Sequence, residues 1–139
     1  MIKVLPKEIW VRYKTLLPTS HALYVPALPE TLPYLGIIEG SFDYVPPEVL
    51  LERLRQWLSS RGVVSVFYFL TEEVSANDPT DYEIGVSELT EATLLELNNG
   101  FENVLVGTDF SWALFMDHEG HLHVAGPKAL FSQLDRVSS

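Results

Sequence analysis

Three strand patterns follow one another between residues 102 and 126, and the turns that join them constrain the fold more than any other feature of the sequence. The segments ENVLVG, FSWALFMD and HLHVAG have the apolar content of β-strands, and only a few residues separate one from the next. Parallel neighbours need a crossover of about a dozen residues or more, so such short turns allow only antiparallel pairing. The sequence therefore predicts an antiparallel sheet.

Helical patterns lie on either side of these strands. The strongest covers residues 47–61, where apolar side chains recur at helical spacing and Gly62 stands at the position of a left-handed cap. Shorter helices are predicted over residues 6–17, 89–98 and 127–137. This mixture predicts a single α+β domain over residues 1–139, with a largely antiparallel sheet and helices packed on one of its faces.

Further strands are predicted earlier in the chain. The run VVSVFYFL, residues 63–70, is almost continuously β-branched or aromatic, as an interior strand buried on both faces would be. YEIGV, residues 82–86, reads as a short strand. The stretch from Pro26 to Pro47 is rich in proline, which forbids a regular helix, and LGIIEGSFDYV within it is predicted to form a strand or a kinked pair.

The charge of the chain is distributed very unevenly. The net charge is −10, and residues 62–127 contain twelve acids but no Lys or Arg. Such a field repels phosphate backbones and anionic lipids, so neither nucleic acid nor a membrane is expected as a partner. A basic protein partner fits the charge better, and without a long apolar stretch the chain is predicted to be cytoplasmic.

Motifs that carry chemistry are absent from the sequence. There are no cysteines, no glycine-rich phosphate loop and no nucleophile elbow, so no cofactor is expected and Ser111 is interpreted as an exposed strand residue. The acids around Asp78, Asp81 and Glu83 lack the spacing and glycine of a calcium-binding EF-hand loop. These absences favour a non-enzymatic protein.

The histidine-rich segment MDHEGHLHVAG, residues 116–126, is predicted to be a hairpin with a definite register. A three-residue loop pairs Asp117 with His121, Phe115 with His123 and Ala113 with Ala125. One face is then wholly apolar, whereas a two-residue loop would place histidines in the core. The opposite face is expected to be solvated, and it carries Ala113, Phe115, Asp117, His121, His123 and Ala125.

Two interpretations of these polar residues remain open. Asp117, His121 and His123 could hold Zn²⁺ with an open position for water, and Glu119 could then act as general base of a metal-dependent hydrolase. Alternatively, they decorate a solvated hairpin, in which Asp117 pairs with His121 and a histidine stacks on Phe115.

The segment NVLVGTDFSWALFMDHEGHLHVAGPKALFSQL, residues 103–134, resembles the carboxy-terminal part of small uncharacterised bacterial proteins, some of them associated with toxin–immunity systems. The shared element is a strand containing DFSWALF, followed by HEG and a return strand. The resemblance implies a cytoplasmic α+β immunity-type protein that blocks a cognate toxin through an acidic surface, without catalysis.

These observations predict a protein-binding domain whose acidic half, residues 62–127, contacts a basic partner, with acids steering the encounter and aromatic side chains supplying affinity. The predicted contact residues are Glu72, Glu73, Asp78, Asp81 and Glu83. A homo-oligomer that pairs through exposed edge strands is a further alternative.

Overall fold

The structure, a computed structural model, contains the predicted antiparallel sheet, which has seven strands. The structure describes residues 2–5, 8–9, 34–39, 45–70, 82–97, 103–109, 111–116 and 121–135. The strands are β1 (Ile2–Val4), β2 (Tyr34–Glu39), β3 (Ser65–Leu70), β4 (Tyr82–Gly85), β5 (Asn103–Gly107), β6 (Ala113–Met116) and β7 (His121–Ala125). Their order across the sheet is β1-β4-β3-β5-β6-β7-β2, and every neighbouring pair is antiparallel.

The three helices whose bounds are described pack on one face of this sheet, as predicted, whereas the helical residue Ile9 packs against the opposite face. The three helices are α1 (Glu48–Ser60), α2 (Glu91–Leu97) and α3 (Lys128–Asp135), with a 3-10 turn at Val86–Glu88. Gly62 ends α1 with a φ of 73°, so the predicted left-handed cap is confirmed. Of the predicted helix over residues 6–17, residues 8 and 9 are described, and they are helical. No helix in the described ranges has the length and apolar character needed to cross a membrane.

The face of the sheet beneath α1 and α3 forms the larger core, here called the helix-side core. The apolar stripe predicted on α1 is buried there in full, with Leu58 completely inaccessible and Trp57 8% exposed. Trp57 meets Trp112 edge-on, with ring centroids 6.2 Å apart and planes at 87°. The strand side chains of this core are Val66, Tyr68, Ile84, Leu105, Leu114, Met116, Leu122 and Val124.

The opposite face is also buried, and here the prediction of a solvated face is wrong. Phe115, Ala113 and Ala125 are at most 1% exposed and belong to a second cluster, here called the far-side cluster. Its other buried members are Phe67, Phe69, Val104 and Val106, and Leu5 and Ile9 pack against it. Strands β3, β5, β6 and β7 therefore carry apolar side chains on both faces, as β3 was predicted to do.

Two reciprocal hydrogen bonds join α1 to α2 at their amino-terminal ends. Each runs from a main-chain N–H of one helix to a glutamate carboxylate of the other. The Glu48 N–H donates to Glu91 Oε2 (2.9 Å), and the Glu91 N–H donates to Glu48 Oε1 (3.0 Å). Arg55 binds the pair in place, since it contacts Glu48 Oε2 at 2.7 Å and donates to the Leu89 carbonyl at 2.6 Å. Each carboxylate thus caps the other helix, where it also meets the positive end of the helix dipole.

Candidate functional site

One end of the sheet brings together the ends of all seven strands. Five adjacent strands, β4, β3, β5, β6 and β7, define the site described here, and the ends of β1 and β2 lie beside it, opposite Tyr82 and His121. β3 stops at Leu70 opposite Asn103, the first residue of β5, and Asn103 also pairs with Met116, the last residue of β6. β4 begins at Tyr82 and β7 begins at His121 at this same end. Leu70, Tyr82, Asn103, Met116 and His121 define what we call the acidic end.

The segments attached to the acidic end account for its name. Residues 71–81 connect β3 to β4, residues 98–102 lead into β5, and residues 117–120 connect β6 to β7. They contain no Lys or Arg and the acids Glu72, Glu73, Asp78, Asp81, Glu102, Asp117 and Glu119. All three segments lie outside the described residues, so the structure gives the places where they join the sheet.

Four of the five predicted contact residues, Glu72, Glu73, Asp78 and Asp81, are therefore outside the described part of the chain. Glu83 is inside it, half-buried on β4. Its Oε2 accepts a hydrogen bond of 2.6 Å from Ser65 Oγ, and the register places it opposite Lys3 of β1.

The predicted hairpin register is confirmed wherever both strands are described. Phe115 pairs with His123 and Ala113 pairs with Ala125. The predicted contact of a histidine with Phe115 is also present, since the His123 and Phe115 rings are 5.2 Å apart at 38°. His123 is half-buried, because its neighbours on this face belong to the far-side cluster.

The proposed metal ligands are only partly described. Asp117, Glu119 and the side chain of His121 lie outside the described residues, whereas His123 lies inside. The main chain of His121 pairs with Glu39 of β2. Within the ranges given above, no three side chains of the His, Cys, Asp or Glu type lie close enough together to hold a metal ion.

A cleft of about 260 Å³ lies at the opposite end of the sheet, where β5 turns into β6. Sequence reasoning missed it, because its walls come from the end of α1, from the β5–β6 turn and from Pro127, two residues after β7. We call it the tryptophan cleft. The described residues that line it are Trp57, Arg61, Val63, Gly107, Thr108, Asp109, Ser111, Trp112 and Pro127.

The charged groups of the tryptophan cleft are held by their neighbours. The Arg61 guanidinium lies over the Trp57 ring, 4.3 Å from its centroid, as in a cation–π contact. Asp109 Oδ1 accepts hydrogen bonds from the Ser111 hydroxyl (2.7 Å) and the Ser111 N–H (3.0 Å). The Ser111 hydroxyl holds the pKa of Asp109 below its ordinary value, although partial burial opposes this effect. Ser111 itself is exposed, as predicted, but it stands in the turn before β6.

Two glycines give Trp112 its place in the cleft wall. A Cβ on Gly107 would overlap the indole of Trp112, and a Cβ on Gly126 would lie 2.7 Å from Trp112 Cβ. Gly126 also has a φ of 131°, which side-chain-bearing residues rarely adopt. Trp112 therefore occupies the space that a side chain at either position would need.

Comparison of the chain with protein-family models, with curated proteins and with solved structures found no match.

Proposed function

We propose that the protein is a non-enzymatic binding domain whose acidic end contacts a basic protein partner. This proposal rests on one observation: the strand ends to which the acidic segments are attached all lie at the same end of the sheet. Segments 71–81 and 117–120 each leave and re-enter the sheet at the acidic end, and segment 98–102 enters it there. Acids that are far apart in the sequence are thereby attached to one side of the domain.

The distribution of basic residues supports the same proposal. Strands β4, β3, β5, β6 and β7 are adjacent in the sheet, and all of them come from the stretch without Lys or Arg. The described basic residues are Lys3 of β1, three arginines on or directly after α1, and Lys128 of α3. Lys3 lies opposite Glu83 at one edge of this group of strands, whereas the group itself contributes acids and no base. A net negative field raises the association rate of a cationic partner, and more strongly at low salt.

An immunity-type inhibitor is the finer form of this proposal. Its partner would be a basic toxin in the cytoplasm, whose cationic surface the acidic end would cover. The support for this form is the resemblance of residues 103–134 to proteins of toxin–immunity systems, together with the charge of the chain.

Site-specific photo-crosslinking in the source cells tests the proposal. A photoreactive residue replaces Asp78 in the acidic segment or, as a matched control, Glu52 on the exposed side of α1. We expect one adduct with a basic protein from position 78 and none from position 52. The triple variant Glu72→Gln, Glu73→Gln, Asp81→Asn should lose this adduct, because its steering field is weaker.

A second variant provides the charge control. Glu52→Gln with Asp109→Asn removes two charges from exposed positions away from the acidic end, and should leave the adduct at position 78 intact. The proposal fails if position 78 gives no adduct, if its adduct is an acidic protein, or if the control variant weakens it as much as the triple variant does.

A metal-dependent hydrolase is the alternative proposal, and the confirmed pairing of Phe115 with His123 keeps it open. In that register His121 and His123 stand two residues apart on β7 and so belong to the same face of the sheet. Metal analysis of protein purified without a histidine tag tests this alternative. Stoichiometric zinc that disappears in His121→Ala would favour the hydrolase, and metal-free protein would refute it.

A further inference from the structure

The tryptophan cleft holds two opposite charges that its own residues fix in place. The Arg61 side chain is exposed, and its described contact is the stacking on Trp57. Among the described residues, no carboxylate lies within ion-pair distance of its guanidinium. A guanidinium prefers planar anions such as carboxylates, which it can bind with two parallel hydrogen bonds.

The anion of the cleft is Asp109, which is exposed and lies in the same turn as Thr108 and Ser111. Ser111 binds one of its oxygens through both its N–H and its hydroxyl. These bonds fix the carboxylate in one orientation and favour its charged form. The Asp109 side chain can still accept a hydrogen bond from a cationic group.

A ligand with a single charge would be attracted by one of these groups and repelled by the other. A zwitterion carries an oppositely charged partner for each of them. The volume of about 260 Å³ lies just below the ~300–1,000 Å³ of pockets that take drug-sized ligands. A single amino acid fits within this volume.

We propose that the tryptophan cleft binds a free α-amino acid, whose carboxylate contacts Arg61 and whose ammonium contacts Asp109. The aliphatic part of the ligand then lies against Val63, Pro127 and the rim of the two indoles. This site is at the opposite end of the sheet from the acidic end, so it does not depend on the proposed partner.

Local structure offers a competing explanation for the same charges. Arg61 follows the last turn of α1, where a cation is favoured by the helix dipole, and Asp109 with Ser111 forms an ordinary side-chain turn. If these roles fully explained the two charges, a zwitterion would bind no better than a ligand that carries only one of its charges.

A titration followed by the indole N–H signals of the three tryptophans separates the two explanations. The probe is L-leucine, and its two half-ligands are 4-methylpentanoate, which lacks the ammonium, and 3-methylbutylamine, which lacks the carboxylate. We expect saturable shifts of the Trp57 and Trp112 signals with a Kd on the order of 1 mM, and at least about tenfold weaker binding of each half-ligand.

Three variants complete the test. Arg61→Gln and Asp109→Asn should each weaken L-leucine binding about tenfold or more, a change that corresponds to one lost charged contact. Arg53→Gln removes the same charge from α1 away from the cleft and should bind normally. The proposal is overturned if L-leucine causes no saturable shift up to about 20 mM, if 4-methylpentanoate binds as well as L-leucine, or if Arg61→Gln binds unchanged.

Discussion

The acidic end and the tryptophan cleft lie at opposite ends of one sheet, and their charged residues are arranged differently. In the cleft, Arg61 rests on Trp57 and Asp109 is bound by Ser111, so each charged group has a neighbour that fixes it. At the acidic end, seven acids belong to segments without a Lys or Arg. Fixed, opposite charges suit a small ligand, whereas an accumulation of one sign suits a large surface of the other sign.

The largest expected loss of stability comes from a substitution at Gly126, next to Trp112 in the cleft wall. Gly126→Ala should lower the free energy of unfolding by about 3 kcal/mol, because the new Cβ is strained and crowds Trp112. That Cβ would lie 2.7 Å from Trp112 Cβ and 3.0 Å from Trp112 Cα. Urea unfolding followed by tryptophan fluorescence measures the loss.

Gly62→Ala is the matched control for this effect. Gly62 has a φ of 73°, but a Cβ there would meet nothing within 4 Å. Its cost should be about 1 kcal/mol, from backbone strain alone. Equal losses in the two variants would show that Trp112 is not held by Gly126.

The contacts of Arg55 in the helix layer should give the next largest effect. Arg55→Ala removes the contacts to Glu48 and the Leu89 carbonyl and leaves the Glu48 carboxylate without its cation. Because the ion pair is partly exposed, we expect a loss of about 1 kcal/mol in urea unfolding. Arg53→Ala, which makes the same change of charge on α1, should cost less than about half of that; a similar loss would argue against a role for the reciprocal caps.

The pH dependence of stability should distinguish the fixed charge of Asp109 from an ordinary surface acid. Its pKa is lowered from an ordinary 3.8, mainly by the Ser111 hydroxyl. A lowered pKa means that the stabilisation is complete above the unfolded-state pKa and is lost as the pH falls through the folded-state pKa. The stability difference between wild type and Ser111→Ala should therefore be constant near neutral pH and shrink below about pH 4.

Ser87→Ala serves as the control for this pH series, since Ser87 is exposed in the 3-10 turn. Its difference from wild type should not change between about pH 7 and pH 3. If the Ser111→Ala difference stayed constant across that range as well, the bond from Ser111 would not be what lowers the pKa of Asp109.

Neutralising the acidic end should have the smallest effect on stability. The variant Glu72→Gln, Glu73→Gln, Asp81→Asn should stay within about 0.5 kcal/mol of wild type in urea unfolding, because like charges do not stabilise one another. Its association with a basic partner should nevertheless slow several-fold at low salt. A large loss of stability would mean that these acids have structural partners.

Much of the fold could be predicted because its signals are local. The face of α1, the cap at Gly62 and the hairpin register each depend on residues within about one helical turn or one hairpin of each other. The far-side cluster was missed because the histidines suggested a solvated face. Ala113 and Phe115 on that same face were the available signal that it is buried.

The remaining features could not be predicted, because they join distant segments. Glu48 and Glu91 exchange hydrogen bonds across 43 positions of sequence, and nothing local indicates that α1 and α2 begin side by side. The tryptophan cleft combines three separate segments in the same way. Pairing along a strand follows from pattern, whereas the approach of two helix ends depends on the whole packing arrangement.

Measurement of the electrostatic field around the domain tests the central claim most directly. A cationic and an anionic nitroxide of the same size broaden nearby amide signals, and the ratio of the two effects reports the local potential. The strand-end amides Leu70, Tyr82, Asn103 and Met116 report on the acidic end, and Thr108, Asp109 and Ser111 report on the cleft.

We predict that the cationic probe is enriched over the anionic one several-fold more at the acidic end than at the cleft, and that the difference fades at high salt. The same enrichment ratio at both ends would contradict the claim that the acids gather on one side of the domain.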